Sequence, residues 1–402
     1  MLPGRGAFIL SIKTEKSLIF ITEVINMSRI IAIITAILMS VPCAAANAKK
    51  DSGDSIKAYV LFDCSTGKIL EEKNGDERLK AGYLSKLMSL LLIAESIENG
   101  DFSLEDELTA SESVSGTKGS VIWLKSGDKL STDELIKSVI VGNANDALIV
   151  LAEKTSGTVE EFVMDMNAKA FDLGMRDTYF VSPYGYYDER EYTTAHDISV
   201  VCCKLSEFQF LEEYFCIWRD FVKEGQTELV NENTLARTYK KHCGFKAAHS
   251  DESGYCIAEC GKSESGAKFG AVILGAESEE ISFSKAKELI NRGMSDYRIT
   301  AAHFPDDILK PVKVRNGQES AVDIELSDSG KIVVPKADRK LKTVFVIPSF
   351  LVAPLHKGQV IGEAVFYDGK EQVFQTDIIV KNDVNKLDFD YVLKKMLYKV
   401  LK

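Results

Sequence analysis

The sequence predicts an α+β protein in three parts: an antiparallel sheet flanked by helices, a small all-β sandwich, and an amphipathic helix at the C terminus. Three observations predict it. A hairpin pattern near residues 58–71 and two apolar strands near residues 255–275 bracket long stretches of helical periodicity. From about Phe304 the pattern changes to short segments that alternate apolar and polar residues. The last sixteen or so residues place apolar side chains at i, i+3, i+4 and i+7. The 402 residues allow two or three domains and a sizeable core, and 45% hydrophobic with 27% charged residues is ordinary globular composition. A formal net charge of −11 argues against nucleic acid as the main partner. No zinc-type Cys/His spacing and no glycine-rich phosphate loop is present, so neither a metal nor a cofactor is expected.

Residues 1–26 carry no convincing pattern. Met27 opens a basic start, an apolar run from Ile30 to Val41 and a small-residue end at Ala46 and Ala48. That is a secretory signal peptide over 27–48, with Met27 as initiator; the run is short for a transmembrane anchor. Export leaves seven cysteines beyond Cys43, an odd number, so at least one lacks a partner within the chain. Cys256 and Cys260 fall on one face of a strand and read as buried thiols.

The first domain is expected over 55–298. Ala58 to Glu71 reads as strand, turn and strand, with Thr66-Gly67 as the turn. Helical periodicity runs from Lys86 to Ile97, and Ser131-Thr-Asp-Glu134 is a capping box that opens the next helix. Another helix spans Phe162 to Met175. Strands follow at Tyr255–Cys260 and Lys268–Gly275, then a helix from Ser282 to Arg292. The sandwich is expected over 304–383, from segments beginning at Val312, Ala321, Lys342, Gly362 and Glu371, with Asn316-Gly and Asp368-Gly as hairpin signals. Residues 387–402 form the terminal helix, apolar at Phe389, Val392, Leu393, Met396, Leu397 and Val400, with Lys394, Lys395, Lys399 and Lys402 elsewhere on it. Such a helix suits a membrane interface.

Three segments carry the chemistry. Arg78-Leu-Lys-Ala-Gly-Tyr-Leu-Ser-Lys-Leu-Met-Ser89 leads into the apolar helix. Val139-Ile-Val-Gly-Asn-Ala-Asn-Asp-Ala-Leu148 follows the capped one. Gly244-Phe-Lys-Ala-Ala-His-Ser-Asp-Glu-Ser-Gly-Tyr-Cys256 precedes the paired strands. In order and spacing they resemble the penicillin-binding D-alanyl-D-alanine carboxypeptidases, of the DD-peptidase/β-lactamase-like fold. That family reads Ser-x-x-Lys, Ser-Ala-Asn-Asp and Lys-Thr-Gly there. Leu173-Gly-Met, Ser182-Pro-Tyr-Gly185 and Thr193-Thr-Ala-His-Asp197 also match, as does Ala353-Pro-Leu-His-Lys-Gly358 in the sandwich. The resemblance spans roughly Lys57 to Lys402. Other Ser-x-x-Lys matches, such as Ser65 to Lys68 and Ser126 to Lys129, lie out of register.

The resemblance implies that Tyr83, Lys86 and Asn143 hold the catalytic positions, and Asn145, Lys246, Ala247 and Ala248 the substrate-binding ones. The chain departs from the pattern at each motif. Tyr83 stands where the nucleophilic serine belongs, and a serine–lysine pair needs that hydroxyl next to its base. Asn143 replaces the proton-passing serine, and an amide is a poor acid or base near pH 7. Ala247 and Ala248 replace the threonine and glycine that, beside Lys246, serve the substrate carboxylate and the strand approach. Ser85 adjoins Lys86 and is expected to face elsewhere. His196 is expected to act at a cap or the surface.

The expected function is therefore an exported, catalytically inactive homologue in peptidoglycan metabolism. It would act at the extracytoplasmic membrane face, with stem peptides or a cell-wall enzyme as partner and the C-terminal helix on the membrane. The alternatives are a working serine-type D-Ala-D-Ala carboxypeptidase that trims pentapeptides, and a surface protein without a ligand.

Overall fold

A computed structural model describes residues 55–401 apart from 187, 302–309, 329 and 337–340. The signal-peptide reading of 27–48 lies outside these residues. In chain order, β1 (Ile56–Asp63) and β2 (Ile69–Lys73) form the hairpin. Its turn is fixed by Asp63, whose buried carboxylate accepts hydrogen bonds from Ser65 Oγ, Thr66 N and Thr66 Oγ1. Next come α1 (Lys86–Glu98), β3 (Glu107–Thr109), β4 (Lys129–Ser131), α2 (Thr132–Ile140), α3 (Asn145–Ser156) and α4 (Val159–Asp172). They lead to α5 (Ala195–Leu205), α6 (Gln209–Phe215), the pair β5 (Arg219–Val222) and β6 (Thr227–Val230), and the single turn α7 (Leu235–Thr238). Three long strands, β7 (His242–Ser250), β8 (Gly254–Lys262) and β9 (Lys268–Ala276), precede α8 (Glu279–Asp296).

The central sheet runs β2-β1-β9-β8-β7, antiparallel throughout. Alternation along each strand splits its side chains between two cores. Val60, Phe62, Ala258, Val272 and Leu274 pack toward α1 to α5. Leu61, Ile257, Ala271 and Ile273 pack against Leu289 and Ile290 of α8 on the other face. Helix α1 is buried from Lys86 through Ala94, so it is the axle of the helical layer rather than an amphipathic cover. Each of its leucines adds about 2 kcal/mol of apolar burial. Because the axle begins at Lys86, that lysine is carried into the core.

The capping box at α2 forms as the sequence predicts, with Ser131 Oγ accepting from Glu134 N and the Glu134 carboxylate accepting from Ser131 N. Helix α4 starts earlier and stops earlier than Phe162–Met175. Thr158 caps its first turn, and Gly174, at φ +80°, ends it. All seven described cysteines are free thiols, with Cys256 and Cys260 buried. Thr194, not His196, caps α5. The His196 ring instead lies between Glu72 and Asp76, 2.6 Å from the latter.

The second domain begins with β10 (Tyr297–Ala301). It continues with β11 (Val312–Arg315), β12 (Ala321–Val322), β13 (Ile324–Leu326), β14 (Lys331–Pro335), β15 (Lys342–Val346), β16 (Leu351–Val352), β17 (Val360–Asp368) and β18 (Glu371–Val380). A three-stranded sheet, β12-β11-β16, and a four-stranded one, β13-β18-β17-β15, enclose an apolar core that includes Ile324, Val334, Phe366 and Ile378. The single strand expected over Ala321–Leu326 is divided. Val322 pairs with Val312, whereas Ile324 pairs with Val380, so the chain changes sheets at Asp323. The β10–β14 pair was not expected. It brings Val333 into the core beneath α8. Finally, α9 (Phe389–Val400) is capped by Asp388 and leaves Phe389, Met396 and Val400 exposed. No described helix is long and apolar enough to cross a membrane.

Candidate catalytic centre

Anchors on both sides hold the segment before α1. The Arg78 guanidinium pairs with Asp177, and Lys80 Nζ donates to the backbone carbonyls of Asp188, Glu189 and Glu191. Gly82–Ser85 then forms a 3-10 turn that runs into α1. Gly185 crosses this turn so closely that a Cβ on it would lie 2.1 Å from Gly82 O, and its φ is +75°. Only glycine fits there.

The turn points its two hydroxyl-bearing side chains in different directions. Ser85 Oγ is buried and donates to Glu191 Oε1 at 2.7 Å, away from Lys86. Tyr83 is half-buried, and its ring face covers Lys86 Nζ at 5.0 Å from the ring centroid. Its hydroxyl makes no hydrogen bond to that amine, whose partners among the described residues are both on Asn143. It reaches toward Gly119, where a Cβ would stand 3.4 Å from Tyr83 Oη. Burial pushes the Tyr83 phenol up, and Tyr186 and Glu232 act in the same direction. The tyrosine is thus a weak acid without a hydrogen bond to Lys86, whereas an activated nucleophile needs a base within reach.

Lys86 is fully buried. Its Nζ donates to the backbone oxygen of Asn143 and, at 2.7 Å, to Asn143 Oδ1. Burial pushes this amine well below the usual lysine range; the Lys246 charge adds to that, and Glu232 and Asp146 oppose it. Asn143 occupies the loop between α2 and α3 at φ +55°, a conformation that asparagine tolerates. Its Nδ2 donates to Glu232 Oε2 at 3.1 Å, so its amide bridges lysine and glutamate.

Asn145 opens α3. Its Nδ2 donates to Lys118 O at 2.6 Å, while its Oδ1 is buried without a donor among the described residues. Asp146 accepts from the backbone N–H groups of Ile122 and Leu124, which fixes the 118–124 wall and leaves Trp123 71% exposed. On the sheet side, Lys246 is 4% exposed, and its Nζ donates to Val139 O and Ile140 O at the end of α2. Burial lowers it to about 8, against the pull of Glu232.

The structure therefore brings Tyr83, Lys86, Asn143, Asn145 and Lys246 together, but it buries the last four. Lys246 Nζ faces the carbonyls of Val139 and Ile140. Ala247 and Ala248 line a cavity of about 350 Å³ at the β7 edge, with Glu232 on its rim. Sequence reasoning missed Glu232, which joins the centre to that cavity, and Glu191, which holds Ser85. Neither carries a sequence signal, because each contact joins loops far apart in the chain.

Comparison with known proteins agrees with this architecture. The family model for D-alanyl-D-alanine carboxypeptidase matches residues 45–278, and that for the C-terminal domain of penicillin-binding protein 5 matches residues 299–386. The chain is 28% identical over 346 residues to D-alanyl-D-alanine carboxypeptidase DacF of Bacillus subtilis, covering 85% of this chain and 89% of that one. It is 28% identical over 353 residues to DacC of Escherichia coli, covering 84% and 88%. Penicillin binding protein 5 from Haemophilus influenzae shares the fold, with a TM-score of 0.75 at 24% identity over 83% of this chain and 98% of that one. With its first domain and its β-sandwich both matched in chain order, this protein belongs to the penicillin-binding D-alanyl-D-alanine carboxypeptidase family.

Proposed function

We propose that this chain is a non-catalytic member of its family, exported to the outer face of the membrane, where it binds peptidoglycan stem peptides or a cell-wall enzyme without cutting. One observation carries the reading: Tyr83 covers Lys86 where a nucleophilic hydroxyl would have to stand. Acyl transfer needs an oxygen in line with the scissile carbonyl and a base within hydrogen-bond reach of it. Tyr83 Oη points to the Gly119 wall, Ser85 is committed to Glu191, and Lys86 is committed to Asn143. Asn143 holds an ammonium or amine in place but moves no proton.

The buried Asn145 Oδ1 supports a binding role. An acceptor without a donor costs about 1–3 kcal/mol, and a peptide N–H from a ligand would satisfy it. The apolar face of α9 supports a place in the membrane interface, with exposed Phe389, Met396 and Val400 immersed and Lys394 and Lys395 at the headgroups. A ligand-free structural role is the second reading, and it is favoured by the same Tyr83 ring, which closes the way to Lys86.

An N-acetylated stem pentapeptide separates these readings. Saturable binding with no release of D-alanine is the expected result. Release at a rate set by enzyme concentration would establish a working carboxypeptidase. Neither binding nor release would favour the ligand-free role.

A further inference from the structure

Three buried thiols meet in the core that the central sheet shares with α5 and α6, away from the catalytic centre. Cys243 Sγ donates to Cys260 Sγ at 2.9 Å, and Cys64 Sγ lies 3.8 Å from Cys260 Sγ. Topology decides which two can bond. Cys243 and Cys260 belong to adjacent antiparallel strands, β7 and β8. The register passes from His242–Gly261 to Gly244–Cys260, so Cys243 is the extra residue of a bulge beside Cys260. Facing residues of such strands hold their Cα atoms about 4.5–5.5 Å apart, inside the range of roughly 4.4–6.8 Å that a disulfide spans. Cys64, by contrast, follows β1, and β9 separates β1 from β8. Its backbone N–H is spent on Lys268 O of β9. Two strand spacings are about 9.5 Å, so Cys64 touches Cys260 but stands too far away at the backbone to bridge to it.

We propose that Cys243 and Cys260 form a disulfide that staples the outer strand β7 to β8. The oxidant is another disulfide, R–S–S–R, on a small thiol compound or an oxidoreductase. One cysteine thiolate attacks it, giving a mixed disulfide and one RSH. The second cysteine then attacks the first one's sulfur and releases the other RSH. Two protein thiols are oxidised, one external disulfide is reduced, and the two cysteine protons end on the departing thiols. The fold sets when this happens. The bond to Cys260 and burial both push the Cys243 thiol up, which leaves little thiolate in the closed chain. The hollow beside the pair, lined by Phe208, Phe215, Phe245 and Lys268, holds about 10 Å³, room for no more than a water. Oxidation therefore comes before β7 closes onto β8, and the finished bond is shielded. It holds the strand that carries Lys246, Ala247 and Ala248. Export supplies the oxidising surroundings in which such bonds persist. A glutathione mixture supplies them in vitro, so the outcome depends neither on export nor on whether the chain cuts peptides.

The test is to refold the denatured, reduced protein in reduced and oxidised glutathione, beside a sample refolded in dithiothreitol. Both are then denatured, blocked with iodoacetamide and digested without reduction. Trypsin cuts at Lys246 and separates the two cysteines, and a glutamate-specific protease cuts at Glu259 and separates Cys260 from Cys256. The glutathione sample is expected to carry two fewer blocked thiols, to yield a peptide joining Cys243 to Cys260, and to melt about 5–10 °C higher than the dithiothreitol sample. Cys64→Ser should keep the link. Protein folded in dithiothreitol, freed of it and then given the same glutathione mixture should form the link at least tenfold more slowly. No loss of thiols, a link from either residue to Cys64 or Cys216, or a linked form that melts no higher than the reduced one would each overturn the staple. Equally fast linking in the folded protein would overturn its shielding.

Discussion

Glu191→Gln is expected to stabilise the first domain in alkaline solution and to lose that advantage in acid. The Glu191 carboxyl is 6% exposed, and burial pushes it up from 4.5 to about 7, although Ser85 Oγ and Val181 N donate to it and lower it in part. A raised carboxyl binds its proton more tightly in the folded chain than in the unfolded one. Its contribution is therefore fully present below pH 4.5 and is lost as pH rises through about 7. The shift corresponds to about 3 kcal/mol at 1.36 kcal/mol per unit. Glutamine keeps the bond from Ser85 but turns a donor toward Val181 N, at a cost of about 1 kcal/mol. The net expectation is a gain of about 2 kcal/mol at pH 8.5 and a loss of about 1 kcal/mol at pH 4.5. Urea unfolding read by tryptophan fluorescence suits the purpose, since Trp123 and Trp218 both lie in the first domain. A difference between the proteins that stays constant with pH, or a variant weaker than the parent at pH 8.5, would refute the reasoning.

Further outcomes follow from other parts of the molecule. Lys246 is lowered to about 8 in the fold, so its penalty is complete below pH 8 and relieved as pH climbs toward 10.5. The stability of Lys246→Met relative to the parent should accordingly fall by about 3 kcal/mol from pH 8 to 10.5, as read by the same unfolding assay. Ser131→Ala removes half of the α2 capping box and should cost about 1 kcal/mol at neutral pH. Phe389→Asp with Met396→Asp should abolish cosedimentation with vesicles of anionic phospholipid while leaving thermal unfolding unchanged, because both side chains are exposed. Undiminished cosedimentation would remove α9 from the membrane.

Much of this was legible in the residues themselves. The Leu-rich run after Lys86 could only be a buried helix, and the Ser131 capping box fixed the start of α2. The three motifs fixed which side chains would meet. Their directions were not legible. A sequence places Tyr83 one turn from Lys86, but whether the ring covers the amine or swings away depends on how Gly82 and Gly185 cross. Ser85 facing Glu191 was foreseen as a direction, not as a contact. Strands β10 and β14 escaped because Tyr297 follows α8 with no turn signal, and because Lys331–Pro335 is a short apolar run of ambiguous period.

Covalent labelling by a fluorescent penicillin bears most directly on the central claim. The purified protein is incubated beside an active serine carboxypeptidase, denatured, and examined for label. The account predicts a labelled control and an unlabelled chain, because Tyr83 leaves no hydroxyl in reach of Lys86. One label per chain would contradict it, and mapping that label would identify the nucleophile which the geometry around Tyr83, Ser85 and Lys86 excludes.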